Sequence, residues 1–180
     1  MGARLPAGRR FNRVRLVDRG PGYGATVITF ERRTLLPVDR ETAFDLSLSI
    51  DAHLGSMEHS GERAVGGVTT GLIGLGEFVT WRARHFGVTW TMTSEITTWE
   101  RPDRFIDEQS KGPFKTFWHQ HEFRTVEGGT ELHDTVRFEA PLGLAGRIAE
   151  RAVLGRYLPR LIDVRNEFLV VEAGRHPGPG

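Results

Sequence analysis

His119 and His121 stand one residue apart in the segment Trp118–Phe123, WHQHEF. On a strand, alternate residues share a face, so both imidazoles project the same way. Imidazole is the side chain whose ordinary pKa lies closest to neutral. In an apolar pocket such a pair can take and return a proton, with Asp134 orienting one ring. That chemistry would enolise a poly-β-ketone or shed water from an aldol adduct. The competing reading of the same residues is a satisfied buried polar network that fixes strand register.

Other chemistries are narrower. His-x-His with a carboxylate can ligate zinc, iron or manganese, but it needs a further ligand, His85 or Glu108. No dedicated ligand spacing stands out, and neither a metal nor a cofactor is expected. Cysteine is absent, which excludes thiol nucleophiles, zinc–thiolate sites and disulfides. Gly71–Gly76 lacks the order of a dinucleotide fingerprint and no helix follows it, so it is no phosphate cradle. As an apolar connector it can gate a pocket mouth. Arg165 lies one helical step from Ile162 and Leu169. It can clamp a ligand carboxylate or pair with an inward Asp134 or Glu108, and the pairing is expected because an unpaired buried arginine is costly.

The elements that must position these groups are mostly strands. Ala25–Leu36 is β-rich and ends at Pro37. Asp39 caps a short helix carrying Ala43, Phe44, Leu46, Leu48 and Ile50, with Gly55 near its end. Strands are expected over 64–70, 77–85, 88–99, 104–109, 114–125 and 130–140, separated by turn residues. A helix from about Leu144 to Val171 closes the chain, with a kink or break near Tyr157 imposed by Pro159. The fold class is therefore α+β: about seven antiparallel strands curving around a long C-terminal helix. One helix cannot fill the concave face of such a sheet, which leaves an apolar cavity.

Strand alternation predicts what faces that cavity. A two-residue turn at Gly128-Gly129 sets Phe123 opposite Asp134, His121 opposite Val136 and His119 opposite Phe138. One face then carries Phe117, His119, His121, Phe123, Leu132, Asp134, Val136 and Phe138. Val79, Trp81, Ala83 and His85 share a face, as do Val88, Trp90, Met92 and Ile96. Trp81 and Trp90 can stack on a planar ligand or serve as plain core. Asp107 and Glu108 are adjacent and must face opposite ways. A four-residue turn at 110–113 puts Glu108 with the histidines; a bulge near Pro113 puts Asp107 there.

The bulk composition excludes several function classes. The chain has 180 residues and a formal net charge of +1, so nothing demands nucleic acid. No run of about 18 apolar residues exists, so no stable membrane insertion is expected, and the N-terminus does not read as a secretory signal. Lys111 and Lys115 are the only lysines, a composition bias that discounts arginine runs as binding evidence. Residues 1–22 read as a flexible basic tail, 23–172 as a single domain and 173–180 as a second loose end. A cytoplasmic protein is expected, with a homodimer as one permitted assembly. The arginine-rich tail also admits a partner-binding regulator.

Gly76–Gly87 (GEFVTWRARHFG), Arg104–Phe114 (RFIDEQSKGPF), Trp118–Phe123 and Gly129–Val136 (GTELHDTV) resemble the SRPBCC group of the START-like superfamily. More narrowly they resemble bacterial proteins described as ligand-binding SRPBCC or polyketide cyclase/dehydrase-like. The likeness runs from about Thr26 to Leu169. It implies a helix-grip fold with a deep pocket for a lipid-like, aromatic or polyketide molecule. On the motif positions it points to Trp81, His85, Asp107, Glu108, His119, His121 and Asp134. It does not imply one reaction, since the superfamily holds carriers, sensors and aromatase/cyclases. The expected function is binding of a small hydrophobic ligand, with Trp90, Met92, Phe117, Phe138, Ile162 and Arg165 completing the pocket. The alternative is a cofactor-independent cyclase, aromatase or dehydratase using His119, His121 and Asp134.

Overall fold

The computed structural model describes residues 13–18, 26–85, 87–139 and 146–175. The outer parts of both expected tails, residues 1–12 and 176–180, lie outside the described residues, as do 19–25 and 140–145. The elements in chain order are β1 (Arg13–Asp18), β2 (Thr26–Leu36), α1 (Arg40–Leu48), α2 (Ile50–Ser56) and a 3₁₀ turn (Glu58–Ser60). Then follow β3 (Arg63–Gly67), β4 (Phe78–His85), β5 (Val88–Glu100), β6 (Arg104–Lys111), β7 (Thr116–Val126), β8 (Gly129–Glu139) and α3 (Gly146–Arg175). All strands join one antiparallel sheet in the order β1-β2-β8-β7-β6-β5-β4-β3. The seven expected strands are all present. β3 to β8 form the hairpin meander, and α1 and α2 carry the chain from β2 to the far edge.

Three features differ from expectation. Arg13–Asp18, assigned above to a flexible tail, is a strand paired with β2 from Arg13↔Glu31 to Asp18↔Thr26. Its sequence RVRLVD places apolar residues between arginines, a strand period that the arginine count obscured. At the other end, α3 runs to Arg175 and Ala173 is fully buried, so residues 173–175 are helix, not tail. Pro159 lies inside α3 without breaking it. Proline removes one donor and crowds the carbonyl four residues back, here that of Gly155 within the same continuous helix.

The helix caps follow the sequence. Asp39 accepts from the Thr42 amide at 2.8 Å, and Ser49 accepts from the Ala52 amide at 3.1 Å to start α2. Gly55 lies within α2, one residue from its end. The 71–76 connector is tied to the α1–α2 junction by Ile50 N–H to Gly71 O (2.9 Å) and Ile73 N–H to Leu48 O (3.3 Å).

The β7–β8 register is shifted by two residues from the one expected. Val126 pairs with Gly129, so Glu127-Gly128 form the turn and Gly129 enters the ladder. Only glycine fits the first ladder position of β8. Gly129 has φ +140°, and a Cβ there would sit 2.1 Å from the Leu36 carbonyl oxygen of β2. A shift of two keeps every side chain on its face but changes its partners. His121 now faces Asp134, His119 faces Val136, Phe117 faces Phe138 and Phe123 faces Leu132.

These rungs divide the interior. Phe123 and Leu132 join a large cluster with Leu36, Phe44, Ile96, Phe105 and Leu169, and Phe138 joins a smaller one with Ile28, Phe30 and Val136. The histidine rungs lie between them. Phe44 is fully buried and meets Trp99, Phe105 and Phe123 at ring-centroid distances of 5.9, 5.4 and 5.4 Å. Phe44→Ala should therefore cost about 3–5 kcal/mol by lost burial and cavity formation, read as a lower urea midpoint with an unchanged slope.

Polar contacts fix α3 against the sheet. Arg32 on β2 donates from Nε to Asp163 at 2.8 Å, Asn166 donates to Thr34 at 3.1 Å, and Arg165 donates to the Ser47 carbonyl of α1 at 3.0 Å. The helix is therefore held in one rotation about its axis, which decides which of its side chains see the space beneath it.

Candidate functional site

Between α3, the α1–α2 pair and the inner faces of β4–β7 lies a cavity of about 230 Å³. A single water needs only about 10–15 Å³ on the same kind of measure, so the space is sized for a molecule. Its apolar lining includes Leu48, Ile73, Val79, Ile96, Phe105 and Leu161.

Of the residues expected to face it, Trp81, His85, Trp90, Met92, Asp107, Phe117, His119, His121, Ile162 and Arg165 do line it. Three do not. Glu108 pairs with Trp118 on the opposite face, because β6 continues to Lys111 and puts Asp107 opposite His119. Phe138 is fully buried in the smaller cluster, against Phe114 at 5.6 Å. Asp134 is fully buried and lies behind the histidines instead of facing the cavity. Val88, grouped with Trp90 and Met92, is 57% exposed.

The polar wall of the cavity is an alternating stack of imidazoles and carboxylates. His119 Nε2 lies 2.9 Å from Asp134 Oδ1, and His119 Nδ1 lies 3.7 Å from Asp107 Oδ2. His121 Nε2 lies 3.0 Å from Asp107 Oδ2, and His121 Nδ1 lies 2.9 Å from Asp134 Oδ1. That last contact is close but lacks hydrogen-bond geometry, so His121 Nδ1 is buried without a hydrogen-bond partner. The two rings are 3.8 Å apart, and Phe105 stacks on His121 at 4.2 Å.

Asp134 is further held by Asn166, whose Nδ2 donates to Oδ2 at 2.6 Å. Arg165 Nη1 sits 3.9 Å from Asp134 Oδ1 and donates to Asn166 Oδ1 at 3.2 Å. Arg165 is thus committed to protein acceptors, the expected pairing in a loose form.

Burial alone would raise the Asp134 carboxyl, but its contacts with His119 and His121 outweigh burial and hold it well below the usual carboxylate range. Burial would likewise raise Asp107; the His121 hydrogen bond and its electrostatic interactions with His119, His121 and Arg165 bring it below its ordinary value. Burial lowers His119, and the neighbouring His121 lowers it further against the pull of Asp134 and Asp107. The wall therefore holds two carboxylates and a neutral His119 beside the Arg165 cation.

Sequence reasoning missed a second polar group. His53 and Glu62 meet at 2.6 Å, with His53 stacked on Trp81 at 4.2 Å, and both line the cavity. His85 Nδ1 meets the Tyr157 hydroxyl at 2.6 Å. Burial lowers the His85 pKa. His53 and Tyr157 are single polar positions in short or weakly patterned helices and carry no signal alone. Asn166 had one: it falls four residues after Ile162 and three before Leu169, on the buried stripe.

No protein-family model matches the sequence, and no curated protein matches it. Solved structures do. The Zhui aromatase/cyclase from Streptomyces sp. R1128 is 15% identical with a TM-score of 0.66, covering 83% of this chain and 94% of its own. The di-domain ARO/CYC StfQ of the steffimycin biosynthetic pathway is 13% identical with a TM-score of 0.65, covering 83% of this chain and 52% of its own. Major latex-like protein 151 from Panax ginseng is 14% identical with a TM-score of 0.61, covering 82% and 97%. Likeness at these identities shows the fold: this chain has the helix-grip fold that its sequence motifs implied.

Proposed function

We propose that this chain binds one small, mainly apolar molecule in the cavity beneath α3. The observation that carries this reading is the cavity itself: about 230 Å³, lined mainly by apolar and aromatic groups, with polar groups confined to a few places. Such a site draws affinity from apolar burial and orientation from a few polar contacts. The expected ligand is lipid-like, aromatic or polyketide in character, with an oxygen function that reaches the histidine wall.

The test is to extract the purified chain with organic solvent, identify co-purifying molecules by mass spectrometry, and titrate an environment-sensitive apolar fluorophore. Ala83 is buried on β4 and lines the cavity, as Met92 does on β5. Ala83→Phe and Met92→Trp should each fill the space and weaken fluorophore binding by about tenfold or more, one lost unit of 1.4 kcal/mol. Unchanged binding in both variants, with native circular dichroism, would reject the cavity as the ligand site.

A second reading has its own support. His119 and His121 face the cavity with Asp134 behind them, an arrangement that can pass a proton to and from a bound β-ketone. The aromatase/cyclase neighbours favour the same class of chemistry by analogy of fold alone. On this reading the chain is a lyase-type cyclase or dehydratase in which Asp134 orients His119.

A further inference from the structure

The imidazole–carboxylate stack leaves one buried ring nitrogen, His121 Nδ1, without a hydrogen-bond partner. Ionised Asp107 and Asp134 accept hydrogen bonds and donate none. Three ring nitrogens lie at 2.9–3.0 Å from their oxygens: His119 Nε2, His121 Nε2 and His121 Nδ1. Only two of these contacts are hydrogen bonds, His119 Nε2 with Asp134 and His121 Nε2 with Asp107; His121 Nδ1 lies 2.9 Å from Asp134 Oδ1 without bonding to it.

His119 Nε2 donates to Asp134, so in the neutral ring Nδ1 carries a lone pair. That lone pair faces Asp107 Oδ2 at 3.7 Å, too far for a hydrogen bond and with no proton between them.

A bound metal ion would use the lone pair on His119 Nδ1 and that of His121 Nε2. The ring proton of His121 would then sit on Nδ1, 2.9 Å from Asp134 Oδ1. Both lone pairs, on His119 Nδ1 and His121 Nε2, converge with Asp107 Oδ2. Asp134 is hydrogen-bonded to His119 Nε2 and lies 2.9 Å from His121 Nδ1, the place of an outer-shell carboxylate that orients metal-binding histidines. The spacing fits. Ligand atoms about 2.0–2.2 Å from a metal lie about 3.0–3.6 Å apart in tetrahedral or octahedral sites. The Asp107 oxygen is 3.0 and 3.7 Å from the two nitrogens, and all three ligating atoms fall within 4.8 Å of one another.

We propose that Asp107 Oδ2, His119 Nδ1 and His121 Nε2 form a binding site for one divalent first-row transition-metal ion, opening into the cavity. Two imidazole nitrogens and one carboxylate suit zinc, iron(II), cobalt(II) or manganese(II) and leave coordination positions free on the cavity side. A ligand oxygen or a water occupies those positions, and the ion polarises it. The sequence offered His119 and His121 with His85 or Glu108 as the further ligand; strand register puts Asp107 of β6 there instead. The site needs the cavity only as its opening, so it stands apart from the apolar-ligand reading.

The experiment uses the full chain stripped with a chelator and titrated with cobalt(II). The expected result is one equivalent bound per chain, with visible d–d absorption. Zinc(II) should shift the ¹⁵N resonances of His119 Nδ1 and His121 Nε2 as the ligated nitrogens. Asp107→Asn, which keeps its size at a partly exposed position, and His121→Gln should weaken cobalt binding by about 100-fold or more. Asp134→Asn should weaken it by about 10–100-fold. His59→Gln, exposed in the 3₁₀ turn, should leave it unchanged. No cobalt absorption in the wild-type chain, or zinc shifts at other histidines, would overturn the site. So would unaltered affinity in folded Asp107→Asn and His121→Gln. Fluorophore binding measured in the same samples separates the two proposals: its loss with cobalt binding intact removes the apolar ligand and leaves the metal site.

Discussion

Asp134→Ala will destabilise the folded chain by about 3–5 kcal/mol, the range for removing one partner from a buried charge set. Asp134 is fully buried. Its oxygens receive His119 Nε2 at 2.9 Å and Asn166 Nδ2 at 2.6 Å, with Arg165 Nη1 at 3.9 Å. Alanine would leave these donors facing an empty pocket and the Arg165 cation paired only through its bonds to Asn166 and Ser47. The loss exceeds what one hydrogen bond is worth, about 1 kcal/mol net, because the unpaired cation keeps its desolvation cost. Urea unfolding at neutral pH measures it. Asp134→Asn should cost less, since its amide oxygen still accepts one of the two hydrogen bonds, although its NH2 cannot accept the other and the charge is lost. A loss near 1 kcal/mol for the alanine variant would mean that water enters to solvate Arg165, and the wall would then not be the buried set described.

The second large effect concerns turnover. On the acid–base reading, His119→Gln with His121→Gln will lower conversion of a β-ketone substrate by about 10²–10⁴-fold, the usual worth of a positioned general acid or base. Fluorophore binding should barely change, because glutamine keeps bulk and polarity at both positions. The measurement is single-turnover kinetics on the double variant beside apolar-probe titration. Equal activity in variant and wild type rejects the histidines as proton carriers. Chelation then divides the two uses of the same side chains. Wild-type turnover that survives stripping belongs to the imidazoles alone. Turnover that vanishes on stripping and returns with added metal belongs to the Asp107–His119–His121 site.

Much of the fold was legible in local pattern. The alternation in β7 and β8 assigned His119, His121 and Asp134 to one face, and it held despite a two-residue error in register. Asp39 announced α1 by its chemistry as an N-cap. Other features depended on distant parts of the chain. The arginines of β1 looked like a tail until β2 was there to pair with. The choice between Asp107 and Glu108 turned on how far β6 continues before its loop.

By itself, then, the sequence determined the class of fold and the identity of the chemical groups, because a period of two along a strand and the chemistry of caps and turns act between near neighbours. The tertiary structure decided which carboxylate meets which imidazole. Contacts between strands depend on register, and β7 and β8 pair from Val126↔Gly129, where Gly129 takes φ +140° and the Leu36 carbonyl of β2 leaves no room for a Cβ. That register places Asp134 beside His121.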